Sequence, residues 1–365
     1  MKNLFESKPV KFIFLVIIAI LVLGVAIIKF DTAGAALFTD NYLRPILGNG
    51  AVGLLEKFYF NTADKIQQVT YHGGTSDQPK FNPSGGEITG TPIPINNGLP
   101  AVSGEGVWHS IPLPIFPNEN VMEYTFVRPD PTRPYAYVTL AQMDMSKLRL
   151  GAVAGKSQPG GPIGNPGPGS IPEEIVKSGK LVAAFNGGFQ YKDGKYGMIV
   201  DGKTYLPLEK GIGTLVGYKD GTLQIVRYTG QDFGTNIDFI RQNCPILIEN
   251  GQIFALNEED KKLWGRTFNA DIFTWRSGVG LTANGNLIYA VGNNLSPQTL
   301  AEALKMAGAV NAIQLDINPF WVRFNIFRPT GPGTYKSITL TKDLKDGSKD
   351  YLNGYSKDFF YLYAK

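Results

Sequence analysis

The 365 residues hold one cysteine, Cys244, and two histidines, His72 and His109. A lone cysteine excludes a disulfide scaffold, so stability must come from burial. Two histidines exclude a three-histidine zinc centre, and a Ser-His-Asp hydrolase would depend on one of two residues in loop-like sequence. Charge is also scarce. The 35 basic and 31 acidic side chains leave a net +4, with no clustering of Lys and Arg of the kind that follows a phosphate backbone. No nucleic-acid partner is expected.

Long apolar runs are limited to residues 12–28, preceded by Lys2, Lys8 and Lys11 and followed by Lys29. Seventeen residues at helical rise reach about 26 Å, the short limit for crossing a hydrocarbon core. The run exceeds the usual apolar length of a signal peptide, and Lys29 and Asp31 separate it from the small residues Ala33, Gly34 and Ala35. It is therefore expected to be an uncleaved transmembrane anchor, with the lysines holding the N-terminus in the cytoplasm and the main body outside. Secretion after cleavage near Ala35 is the alternative.

What the chain has in excess is glycine and proline, 43 and 24 residues, and their placement divides it. Residues 1–35 form the cytoplasmic tip and anchor. Residues 36–75 read as a juxtamembrane helical segment, with Leu54, Leu55, Phe58, Tyr59 and Ile66 at helix-like spacing and a break at Gly48-Asn49-Gly50. Residues 76–120, with 6 Gly and 8 Pro, read as an extended linker carrying His109 as a solvated loop residue. Residues 121–365 have the pattern of a folded domain.

Within that domain the β-branched or alternating runs 135–140, 181–185, 197–200, 222–228, 245–248 and 287–291 predict strands. Asp-Gly or Asn-Gly pairs at 193–194, 201–202, 220–221, 250–251 and 284–285 predict tight turns between them. One helix is strongly signalled, with Ser296 as cap, Pro297 at the first position, Leu300, Ala303, Leu304 and Ala307 on one face, and Gly308 as stop. The expected fold class is α+β: β-rich mixed or antiparallel sheets with a few packed helices, preceded by the transmembrane helix. Residues 157–172, with 5 Gly and 5 Pro, lack the Gly-Lys-Ser/Thr of a phosphate loop and read as a rigid loop flanking a cleft. Cys244, in an apolar run, reads as a small buried hydrophobe.

Three segments join an apolar run to chemistry-bearing residues: Asn186-Gly187-Gly188-Phe189, then Arg276-Ser277-Gly278-Val279-Gly280, then Asn311-Ala312-Ile313-Gln314-Leu315-Asp316. Asn186 brings a side-chain amide, and Gly187 and Gly188 bring backbone N–H groups without a Cβ in the way, a host for a sugar hydroxyl or an anionic oxygen. Arg276 can fork onto a phosphate or carboxylate. Asp316 can act as base, nucleophile or metal ligand. Each has an ordinary structural role as well: a turn, a salt bridge, a strand end.

Taken together and in this order, the three segments resemble the phosphodiester glycosidase family, over roughly residues 121–330. The resemblance implies hydrolysis of a phosphodiester-linked or related sugar, with Asp316, Arg276 and Asn186 as catalytic residues and Gly187, Gly188 and Ser277 as substrate-binding residues; Trp321 and Arg323, beyond the matching pattern, are further candidates for substrate binding through an aromatic ring and a charge. It implies a glycan or sugar-phosphate substrate, which outside the cytoplasm would be an envelope or extracellular glycan. No cofactor follows from it, and a divalent metal ion is compatible with the Asp316 carboxylate. The chain departs from the family pattern directly after Asp316, where Gly-Gly-Gly-Ser-Ser is replaced by Ile317-Asn318-Pro319-Phe320-Trp321. Proline has no N–H to offer a ligand. Phe320 and Trp321 then serve either as an aromatic platform for a sugar ring or as packing that closes the site, which would make the protein a non-catalytic glycan-binding or envelope-structural module. Glu173, Glu174 and Asp271 are candidates for a second acid.

Overall fold

The computed structural model describes residues 39, 42, 44–74, 77–84, 86–100, 102–254 and 273–365. The chain divides into two compact units, Met1–Phe58 and Tyr59–Lys365. The helix Arg44–Thr70 is interrupted at Gly48, whose φ of 78° and ψ of 161° leave the helical region. That is the break expected from Gly48-Asn49-Gly50. Among the described residues no helix is long and apolar enough to cross a membrane, and the apolar run 12–28 lies outside them.

The second unit is built on three sheets. The largest has nine strands in the order β1 (Ile88–Thr89), β2 (Trp108–Ser110), β3 (Met122–Val127), β4 (Val138–Met143), β15 (Leu287–Leu295), β14 (Thr274–Thr282), β16 (Ala309–Ile317), β12 (Ile246–Glu249) and β13 (Gln252–Ile253). A second contains β10 (Leu223–Arg227), β9 (Gly213–Tyr218), β11 (Ile237–Gln242), β7 (Met198–Val200) and β8 (Lys203–Leu206). The third contains β18 (Thr334–Thr339), β17 (Phe324–Gly331), β6 (Leu181–Asn186), β19 (Phe359–Ala364) and β5 (Leu148–Val153). Among the described residues the strand pairs are antiparallel, as the turn-rich sequence predicts, for example β14 with β15 and β6 with β19.

Period-two alternation distributes the side chains of the large sheet between two cores. Leu287, Tyr289 and Val291 of β15 join Val279, Ile313 and Leu315 in one, with Phe185, Phe324 and Phe360 of the third sheet. Ile288 and Ala290 face the other, which the helix Pro297–Met306 covers with Leu300, Ala303 and Leu304. That helix begins as expected. Ser296 accepts from the Thr299 N–H, and the Thr299 hydroxyl accepts from the Ser296 N–H, a reciprocal cap.

Turn chemistry agrees at 201–202 and 250–251, where both residues have positive φ between β7 and β8 and between β12 and β13. At 193–194 the structure differs: Asp193 and Gly194 lie in the short helix Tyr191–Gly194, and Lys195 takes the left-handed position with φ 55°. The stretch 76–120 is not a free linker. Its β1 and β2 extend the large sheet, and Trp108, Ile111 and Leu113 are buried in the cores. Composition marked the segment as extended, and a few apolar anchors were enough to dock it. His109 accordingly sits in β2, stacked on Tyr124 at 5.6 Å, while His72 is exposed.

Candidate active site

The three sequence segments meet where the C-terminal ends of β6, β11 and β16 and the start of β19 converge. Asn186, the last residue of β6, is buried and saturated by protein partners. Its Nδ2 donates to Ser277 Oγ at 2.9 Å and to the Gly187 carbonyl at 3.0 Å. Its Oδ1 accepts from the Tyr289 hydroxyl at 2.8 Å and from the Arg323 N–H at 3.1 Å. Ser277 in turn donates to the Asp316 carbonyl at 3.0 Å. Asn186, Ser277 and the backbone of Asp316 are thus one hydrogen-bonded chain across two sheets.

Asp316 lies at a register shift in which β16 presents extra residues against Arg276 and Gly278 of β14. Its Oδ1 accepts from the Ile317 N–H at 2.9 Å, and its Oδ2 pairs with Lys357 Nζ, with both side chains buried. Burial pushes the Asp316 carboxyl up to about 6, against the opposing pull of Lys357 and the Ile317 N–H. A carboxyl titrating near neutrality is suited to exchanging protons.

Arg276 points elsewhere. The alternation of β14 sends Ser277 and Arg276 to opposite faces, and the Arg276 guanidinium donates to the Leu295 carbonyl at 2.7 Å and to Gln314 Oε1 at 2.9 Å. It is fully buried, and burial lowers its pKa to about 10, so the charge persists at neutral pH. Cys244 shares that face with it. The thiol accepts from Gln314 Nε2 at 3.5 Å, and burial pushes it up to about 12, which makes it an inert packing group.

The backbone amides of Gly187 and Gly188 are taken by Asp358, just ahead of β19. Gly187 N–H donates to the Asp358 carbonyl at 3.1 Å and Gly188 N–H to its Oδ2 at 3.0 Å. Glycine is required here because the backbones approach closely: a Cβ on Gly187 would lie 2.0 Å from Asp358 Oδ2. Arg241 of β11 forks onto the same carboxylate, Nε to Oδ2 at 2.8 Å and Nη2 to Oδ1 at 3.1 Å. Its remaining donors go to the carbonyls of Tyr196, Gln242 and Phe189. Asn243 completes the cradle, accepting from Phe189 N–H and donating to the carbonyls of Gln314 and Leu315.

The segment that replaces the family glycines is closed by its own bonds. Asn318, at φ 86°, accepts at Oδ1 from the Phe320 N–H, and its carbonyl accepts from the Trp321 and Val322 N–H groups. Phe320 and Trp321 stand edge to face at 4.3 Å, and Lys357 Nζ lies 4.4 Å from the centroid of the half-buried Trp321 ring. Arg323 pairs with Asp350 at 2.6 Å and lies over the Tyr355 ring at 4.7 Å. Its Nε finds no partner among the described residues.

Glu173 and Glu174 are exposed on the short helix Glu173–Lys177, and Glu173 pairs with Lys177 along it. Asp271 lies outside the described residues. Asp358 is the second acid that the fold brings to the Asn-Gly-Gly turn. Neither it, Lys357 nor Arg241 carries a sequence signal beyond its place beside a predicted or C-terminal strand. The loop 157–172 runs along the same segment, with Ser157 and Gln158 N–H donating to the Ser356 carbonyl at 2.9 Å each. Among the described residues no three His, Cys, Asp or Glu side chains cluster in a way that could hold a metal ion.

Residues 179–316 match the phosphodiester glycosidase family. The match takes in Asn186, Arg276, Ser277 and Asp316 and stops at the residue after which the family glycines are missing. Among solved structures, the zebrafish N-acetylglucosamine-1-phosphodiester α-N-acetylglucosaminidase catalytic domain, described as auto-inhibited by its pro-peptide, is 17% identical. Its TM-score is 0.43, with 68% of this chain and 85% of that chain covered. A hypothetical protein from Synechocystis is 13% identical at a TM-score of 0.35, covering 67% and 62%. An exported protein of Burkholderia pseudomallei is 10% identical at 0.35, covering 62% and 74%. No curated protein matches the chain.

Proposed function

We propose that this protein is a glycosidase-type hydrolase of phosphodiester-linked or related sugars, acting on an envelope or extracellular glycan. The reading is supported by the family match through Asp316 and by one observation above all: a buried carboxyl, raised to about 6, sits at the meeting point of the matched segments. Asp316 takes the proton of the water that attacks the anomeric carbon, while Asn186 and Ser277 hold its backbone in place. A phosphate leaving group needs little protonation, so a single proton-exchanging carboxyl is sufficient, unlike the pair required for ordinary glycosides.

The test uses the full chain in detergent with N-acetylglucosamine linked through phosphodiester as the first of a panel of sugars. Turnover by the wild type and a loss of at least about 10²-fold in Asp316→Asn are expected. An inactive wild type that retains glycan binding would favour the second reading, a non-catalytic glycan-binding module. The observation that speaks for that reading is the placement of the aromatic pair and the internal engagement of the Gly187 and Gly188 amides. We further propose that the apolar run 12–28 tethers the protein to a membrane, with the second unit outside the cytoplasm. Retention in the membrane fraction with an intact N-terminus is expected, and a mature N-terminus at Ala36 would show secretion instead.

A further inference from the structure

Ser356, Lys357 and Asp358 form a short charged segment, and it is clamped from three directions. Arg241 forks onto Asp358, the Gly187 and Gly188 amides bind the same residue, and the 157–172 loop donates to the Ser356 carbonyl. The clamp fixes the Lys357 backbone and with it the position of the ammonium. That ammonium has Asp316 as its one hydrogen-bond acceptor among the described residues and the Trp321 ring against it. An ammonium carries three donors, so two remain open.

Two other sources of positive potential for a phosphate are absent from this place. The Arg276 guanidinium is committed on the opposite face of β14. The amides expected after Asp316 are replaced by Ile317, Asn318 and Pro319, and the Ile317 N–H is already given to the Asp316 carboxylate. Among the described residues, Lys357 is the cation that pairs directly with the Asp316 carboxylate, whereas Arg323 is turned to Asp350 and the Tyr355 ring.

We infer that Lys357 is the phosphate-receiving cation of this site, passing from the Asp316 carboxylate to the leaving phosphate as the glycosidic bond breaks. The inference rests on the hydrolase reading above. Water adds its oxygen to the anomeric carbon and gives one proton to Asp316. The electron pair of the broken carbon–oxygen bond stays on the phosphate, whose charge goes from −1 in the diester to −2 in the monoester. Asp316 thus becomes neutral as the phosphate gains charge, and the ammonium follows the negative charge. The proton on Asp316 then leaves to solvent. Access requires the Trp321 ring to move off Lys357, and the cation–π contact given up is weaker than the charge-assisted bond to phosphate that replaces it.

The experiment compares the full chain with Lys357→Met and Lys357→Arg on two substrates of one sugar: the methyl phosphodiester and the p-nitrophenyl glycoside of α-N-acetylglucosamine. The kcat/KM ratio of phosphodiester to aryl substrate is expected to fall about 10²-fold in Lys357→Met and to recover in large part in Lys357→Arg. Methyl phosphate should inhibit the wild type competitively and Lys357→Met at least tenfold more weakly. An unchanged ratio, or unchanged inhibition, overturns the inference while leaving the hydrolase reading intact. A wild type inert on both substrates removes both. If Lys357→Met does not fold, the doubly neutral Lys357→Met, Asp316→Asn variant is titrated with methyl phosphate by calorimetry, and wild-type affinity there overturns the inference.

Discussion

Asp316 and Arg276, from two different segments, show how burial acts in opposite directions on a carboxyl, which it raises, and a guanidinium, which it lowers. In the proposed hydrolysis the Asp316 carboxyl, raised to about 6, must be ionised to accept a proton, so kcat/KM is expected to rise with pH through an apparent pKa of about 6. A flat profile between pH 5 and 8 would remove it from the proton transfer. The same shift has a sign for stability: between about 4 and 6 the folded protein holds a proton that an unfolded aspartate has lost, so stability falls as pH rises across that window. Arg276 instead supports the interior. Arg276→Ala leaves the Leu295 carbonyl and Gln314 Oε1 without these partners and opens a cavity, and is expected to lower unfolding free energy by about 3 kcal/mol in urea titrations. Wild-type stability in that variant would show that the guanidinium is held for chemistry alone.

At the scale of elements, the site depends on a strand end, a glycine turn and a clamped segment fitting without spare volume. A Cβ on Gly188 would stand 2.7 Å from Asn243 Oδ1 and 2.8 Å from Arg241 Nη2, two atoms already fixed by other bonds. Gly188→Ala should therefore destabilise the fold by about 2 kcal/mol and reduce turnover, because the Arg241–Asp358 pair must shift and carries Lys357 with it. Differential scanning calorimetry with parallel kinetics measures both. Loss of stability with intact kcat would separate the turn from the chemistry.

For the whole molecule, the segment 76–120 decides how much chain the folded unit needs. Because β2 pairs with β3 and Trp108 is buried, limited proteolysis of the native protein should spare residues 104–114 despite their glycine and proline content. Mass spectrometry of early fragments checks this, and early cuts there would return the segment to the status of a linker.

Local signals decided much of this protein. Alternation placed β4, β6, β7, β10, β12 and β15, Ser296-Pro297 and Gly308 bounded the helix, and the apolar runs ending in Asn186 and Asp316 marked both as strand-end residues. These were legible because strand alternation and helix caps are short-range physics. The partners of those residues were not. Lys357 lies 41 residues from Asp316, and Arg241 lies 117 from Asp358, distances over which no periodicity carries information. The tertiary structure alone turned Arg276 away from Asp316, gave the glycine amides to Asp358 and set Lys357 on the catalytic candidate, because three sheets had to close over these charges and each needed a partner once water was gone.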